Sequence, residues 1–185
     1  PCAKCDICNS IANGSNLDII EIDAASHTGI DNVRELIEHA QFKPSQMNKK
    51  VFIVDEVHML SKPAFNALLK TLEEPPEHVM FILATTDIEK VPATIISRTQ
   101  RFDFKRINEL QMATALEEIV KDQKLKLPDG TIAAVVEQSE GSMRDALSKL
   151  DMVASMAASK QGVSLQEVEQ LLGVSSLVTV QELIG

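Results

Sequence analysis

Apolar residues are not spread evenly along this chain; they gather first into short unbroken runs and then into helical stripes. KKVFIVDEVHML, residues 49–60, places Val51, Phe52, Ile53 and Val54 in one run without alternation. Such a run predicts a parallel strand buried on both faces. LDIIEID, residues 17–23, supplies Leu17, Ile19, Ile20 and Ile22 to a second strand, and VMFILATT, residues 79–86, predicts a third. The central run stops at Asp55 and Glu56, and the third at Thr85 and Thr86. Ligands of open α/β sheets bind outside the carboxyl ends of the strands, so two strands ending in polar groups predict one site across their shared edge. Adjacent carboxylates there suit one metal ligand and one base. The plainer alternative is that Asp55 and Glu56 cap the next helix, and that the threonines cap a turn.

Helical spacing takes over between the runs. Thr28 and Asp31 form a weak capping pair ahead of the stripe Ile30, Val33, Leu36, Ile37 and Ala40, which Pro44 ends. Ser61 caps a helix with Pro63 in its first turn; Phe65, Leu68, Leu69 and Leu72 face inward, and Lys62 and Lys70 face solvent. QRFDF, residues 100–104, alternates as an outer strand would. From Asn108 onward only helices are predicted. Asn108 and Gln111 open one with the stripe Leu110, Ala113, Leu116, Ile119 and Val120; a second runs from about Thr131 to Ser139 and closes at Gly141. Ser142 caps a third, which carries Arg144 in its opening turn. Positive charge there opposes the helix dipole and calls for an anionic partner. Ser164 and Glu167 start a further helix that Gly173 stops. The expected organisation is an α/β unit over 1–107, a helical unit over 108–174 and the start of another domain over 175–185, without repeats.

Composition narrows the chemistry. Aromatic residues make up 3% of the chain, with no Trp or Tyr, so the core must be aliphatic. The net charge of −9, from 18 basic and 27 acidic side chains, argues against chain-wide attraction to nucleic acid and makes any DNA contact local. No apolar run is long enough for a membrane span and no signal peptide is visible, so the expected location is cytoplasmic, with no membrane partner. The chain begins at Pro1, without Met, inside the cluster PCAKCDIC, and reads as a piece of a longer protein. Cys2, Cys5 and Cys8 form two overlapping C-x-x-C steps whose soft thiolates select zinc or an iron–sulfur cluster. A ferredoxin-type run would need cysteine where Ala12 stands, which favours a structural zinc with its fourth ligand upstream. Three reduced cysteines without metal are the alternative. His27 and His39 have no ligand partner nearby in sequence and are expected as ordinary surface or core histidines.

EIDAASHTGIDNVREL, VFIVDEVHMLSKPAFNALLKTLEEPPEHVMFILATTD, IISRTQRF and GSMRDAL together cover most of residues 17–147. On these segments the chain resembles the gamma/tau ATPase subunits of the bacterial DNA polymerase III clamp loader, which are AAA+ proteins. The resemblance implies a parallel sheet with helices followed by a helical lid. It implies that Asp55 holds Mg²⁺ through water and that Glu56 orients the attacking water. Thr86, with Thr85 beside it, would read the γ-phosphate of ATP. Arg98 in SRT would be an arginine finger acting in trans on a neighbouring subunit, and Arg144 a second sensor on the lid. PCAKCDIC is similar to the later part of the family's zinc module. Thr99 stands where the family usually has Cys.

No G-x-x-x-x-G-K-[ST] loop occurs, the seven glycines lying at 14, 29, 130, 141, 162, 173 and 185, so the phosphate cradle is missing from these residues. This chain alone is therefore expected neither to bind ATP tightly nor to hydrolyse it. The implied partners are delta, delta-prime and further gamma/tau subunits, the sliding clamp, primer-template DNA, and the polymerase core through the long form. The implied activity is ATP-driven opening and loading of the clamp during replication. A non-hydrolysing delta-prime-type subunit and a zinc-containing interaction module are the alternatives. Retention of both Asp55 and Glu56 favours the hydrolysing kind.

Overall fold

The computed structural model describes residues 1–160 and 162–173, and the expected C-terminal start over 175–185 lies outside them. The chain divides into two compact units, Pro1–Phe102 and a second that begins at Asp103.

In the first unit, β1 (Ile19–Asp23), β2 (Lys50–Asp55) and β3 (Val79–Leu83) form a wholly parallel sheet with β2 in the middle. Ile20, Phe52 and Phe81 share one register row and Ile22, Val54 and Leu83 the next. These rows face α2 (Ile30–Gln41) and α3 (Lys62–Glu73), whose Val33, Leu36, Ala40, Ala64, Phe65 and Leu68 complete the core. Phe52 is fully buried and stacks on Phe81 with ring centroids 5.4 Å apart. Truncating such a residue to Ala typically costs about 3–5 kcal/mol. The core is thus largely aliphatic, with three phenylalanines, Phe52, Phe65 and Phe81.

Local signals explain most boundaries. The Ser61 hydroxyl accepts the Ala64 N–H, and Pro63 follows in the first turn of α3, where its missing N–H costs no helix bond. Thr28 does not cap α2: Gly29 holds that position without a side-chain bond, and the Thr28 carbonyl instead accepts the Ser61 N–H, joining the loops after β1 and β2. Residues 100–104 form no strand, and Phe102 and Phe104 stay exposed. Alternation marks which side chains share a face; a strand forms only where a neighbouring backbone takes its hydrogen bonds. A short α1 (Asp6–Ala12) begins inside the cysteine cluster, and α4 (Ala93–Ile96) leads to Arg98.

The second unit packs α5 (Glu109–Asp122), α6 (Thr131–Ser139), α7 (Met143–Ser159) and α8 (Leu165–Leu172) around Met112, Leu116, Val135, Leu150, Val153 and Val168. Leu110, expected in the buried stripe of α5, is 79% exposed. Met112 takes the buried position, and two residues along a helix turn about 200°, which puts Leu110 on the opposite side. Asn108, Ser142 and Ser164 each cap as predicted, the last in a reciprocal capping box with Glu167. The Ser164 N–H, then the Lys160 ammonium and the Ser164 hydroxyl, draw the Glu167 carboxyl down to about 2.

Candidate functional site

The carboxyl ends of β2 and β3 bring four of the predicted residues together. The ladder continues past the strands, with Ala84 N–H donating to Val54 O and Val57 N–H to Ala84 O, both at 2.9 Å. That pins the DE turn beside Thr85 and Thr86. Asp55 is exposed, and its Oδ1 accepts the Glu56 N–H at 2.9 Å. Glu56 itself adopts the left-handed region, φ 46° and ψ 43°, where a side-chain-bearing residue is strained by about 1–2 kcal/mol. Its side chain turns to the neighbouring loop: the Thr86 hydroxyl donates to Glu56 Oε2 at 2.9 Å and the Thr86 N–H lies at 3.4 Å. Neither carboxylate caps α3, whose cap is Ser61, so the plain capping alternative does not account for the pair.

Sequence reading missed His58. It lies in a one-turn 3-10 helix, Val57–Met59, and its side chain is 9% exposed, with Nδ1 at 2.8 Å from Thr85 Oγ1 and 3.2 Å from Glu56 Oε2. The signal was present: His58 follows the DE pair by two residues, within one tight turn. Thr85 Oγ1 also accepts the Asp87 N–H, and the bonded Lys90 ammonium holds the Asp87 carboxyl below the usual range.

Arg98 does not join this cluster. Its guanidinium pairs with Glu73 at 2.6 Å and donates to Thr94 O at 2.7 Å, with Ser97 Oγ at 3.3 Å. Arg144 lies in the first turn of α7, exposed, with no hydrogen-bond or ion-pair partner among the described residues. Between α5 and α6 the helical unit has an open hollow of about 460 Å³ lined by Glu109, Leu110, Ala113, Ala133, Val136 and Glu137. Its polar lining is two glutamates alone, whereas the strand ends gather carboxylates, hydroxyls and an imidazole.

The cysteines form a separate cluster. Ala3 turns through φ 54°, folding the chain so that the Cys5 N–H donates to Cys2 Sγ at 3.3 Å. Cys8 comes round on the first turn of α1, and the three sulfurs lie within 4.8 Å of one another, Cys2 and Cys8 at 3.9 Å. Zinc–sulfur bonds of about 2.3 Å in a tetrahedron set sulfurs about 3.8 Å apart, so this donor set fits zinc. The N–H groups of Lys4 and Cys5, then the neighbouring thiols, lower Cys2 from 9.0 to about 7, towards the thiolate that a metal needs.

The family model described as "DNA polymerase III, delta subunit" matches residues 1–108. The DNA polymerase III subunit tau of Bacillus subtilis (strain 168) is 48% identical over 179 residues, 97% of this chain and 31% of that protein. The tau subunit of Escherichia coli (strain K12) is 45% identical, over 94% of this chain and 27% of that protein. The gamma subunit of Buchnera aphidicola subsp. Schizaphis graminum is 44% identical, over 94% of this chain and 47% of that protein. The chain therefore spans less than half the length of these relatives. A solved gamma subunit-related protein of Thermotoga maritima is 25% identical with a TM-score of 0.56, covering 77% of this chain and 45% of that one. The Thermotoga maritima RuvB Holliday junction branch migration motor is 14% identical with a TM-score of 0.68, covering 90% of this chain and 55% of that one, a likeness of fold alone. The parallel α/β unit and following helices have the expected AAA+-type fold, over the part of it that the chain spans. No helix among the described residues is long and apolar enough to cross a membrane. Because the family model matches residues 1–108, more than half of the chain, the chain belongs to the DNA polymerase III delta-subunit family, and the relatives that align through both units are named tau and gamma.

Proposed function

We propose that this chain carries the water-activating half of the ATP site of a clamp-loader subunit of DNA polymerase III, working in the cytoplasm during replication. The observation that supports this most is the meeting of Asp55, Glu56 and Thr86 at the carboxyl ends of two adjacent parallel strands. Asp55 keeps one carboxylate oxygen clear of the Glu56 N–H, a hard donor suited to Mg²⁺ through water. Glu56 orients and polarises a water, and Thr86 reads phosphate. Bound ATP with Mg²⁺ would supply a phosphoryl group made electrophilic by the metal. Arg98 belongs to the site of a neighbouring subunit, and its leash to Glu73 must open for it to act there. Arg144 serves the nucleotide from the lid, which answers its unpaired charge at a helix start. Cys2, Cys5 and Cys8 hold a structural zinc with a fourth ligand from elsewhere. The partners are delta-type and further gamma/tau subunits, the sliding clamp, primer-template DNA and, through the long form, the polymerase core.

The test is DNA-stimulated ATP turnover by a longer protein that carries this chain and a phosphate-binding loop, assembled with its partner subunits. Glu56→Gln abolishes turnover and spares ATP binding. Arg98→Ala lowers turnover only in the assembly. Unchanged turnover in both variants overturns the proposal.

A further inference from the structure

Glu56 is held by two side chains, and one of them has only a single proton to give. Thr86 supplies one hydroxyl hydrogen, now directed at Glu56 Oε2 at 2.9 Å. When that proton turns to any other acceptor, the remaining side-chain contact is His58 Nδ1 at 3.2 Å. A bare imidazole nitrogen would set its lone pair against a carboxylate oxygen at that distance. A proton on Nδ1 removes the repulsion and makes the contact attractive. Thr85 Oγ1, 2.8 Å from Nδ1, already accepts the Asp87 N–H and has a second lone pair for the same ring proton. The ring, 9% exposed, is held at its end of the contact by the packing around it.

We propose that His58 is the positioning residue for Glu56: its Nδ1–H keeps the carboxylate aimed while the Thr86 hydroxyl changes acceptor. This rests on the reading of Glu56 as the group that orients water. Loss of the ring would leave Glu56 with the exchangeable Thr86 hydroxyl and the longer Thr86 N–H contact at 3.4 Å, a weaker hold at the moment its aim matters.

Two measurements test this. In nitrogen-detected NMR of the 185-residue chain, the neutral His58 ring carries its proton on Nδ1; a ring protonated on Nε2 alone overturns the proposal, with no dependence on turnover. In the longer ATP-hydrolysing protein, His58→Ala lowers kcat about 10- to 100-fold with KM for ATP within about threefold. His58→Asn, whose amide N–H can stand in for Nδ1–H, recovers most of the loss. Equal losses in the Ala and Asn variants, or an unchanged kcat in His58→Ala, overturn the positioning role. Glu56→Gln separates the two levels: if it still turns over ATP, the reading of the site has failed, whereas if it is dead and His58→Ala is fully active, only His58 has lost its role.

Discussion

The two ends of the same three strands use polar residues in opposite ways. At the amino end, Asp18 is buried and accepts the N–H groups of Ser45, Gln46 and Met47 at 2.7, 2.7 and 2.8 Å, with the Ser45 hydroxyl at 3.2 Å. Beside it, buried Lys50 donates to His39 O and the ring of His78 bonds Ala40 O, capping the negative end of α2. At the carboxyl end, Glu56 bonds Thr86 and His58, and His58 bonds Thr85. Backbone partners are fixed by the fold, so Asp18, whose two oxygens are both spent on N–H groups, holds structure, whereas Asp55 keeps one oxygen clear beside its single N–H bond. Side-chain partners exchange by rotation, so groups tied to them can do chemistry.

That contrast breaks most directly at Asp18. Asp18→Ala removes a buried, charged acceptor from three N–H donors, and hydrogen bonds to a charged group contribute about 1.5–3 kcal/mol each at most. A loss of about 3–5 kcal/mol is expected in urea unfolding of the chain, against about 0.5 kcal/mol or less for Glu56→Gln at the other end. Comparable losses from the two variants would erase the distinction.

Lys50→Ala comes next, costing about 1–2 kcal/mol as the α2 terminus loses its charged donor. Lys50→Met, which keeps the stem packed, should cost less; amide exchange in the last turn of α2 should quicken in both.

Acid supplies a finer comparison. Burial raises the Asp18 carboxyl, but the N–H groups of Ser45, Gln46 and Met47 together with the Ser45 hydroxyl outweigh it and hold the group below its ordinary value. A depressed folded value means that its stabilisation is complete above the unfolded value of about 3.9 and disappears as pH falls through the folded one. Unfolding free energies of the wild type should therefore drop below about pH 4, and Asp18→Asn should flatten that part of the curve.

A weak coupling is expected between Arg98 and Glu73, a pair 35% and 47% exposed. A double-mutant cycle should return about 1 kcal/mol or less. A larger coupling would make the leash a structural clasp like those at the amino end.

Much of this was legible beforehand. The runs ending at Asp55 and Thr85 predicted strands and a shared edge, and the helix starts at Ser61, Asn108, Ser142 and Ser164 are local events written in adjacent residues. The place of His58 beside the DE pair was legible but its role was not, because its partner Thr85 is 27 positions away and meets it only when β2 and β3 pair. Leu110 misled because periodicity fixes a stripe's spacing but not its phase, and residues 100–104 misled because alternation cannot supply a neighbouring strand.

What the sequence determined alone was therefore short-range: apolar runs, caps, the cysteine spacing and the DE pair. Tertiary structure decided which polar groups are tied to backbone and which to one another. That choice depends on register between distant strands, where a shift of one residue would turn every side chain to the other face. Asp18 and Glu56 are both acidic residues at the ends of apolar runs. Only the packing around them makes one a buried anchor and the other a candidate for chemistry.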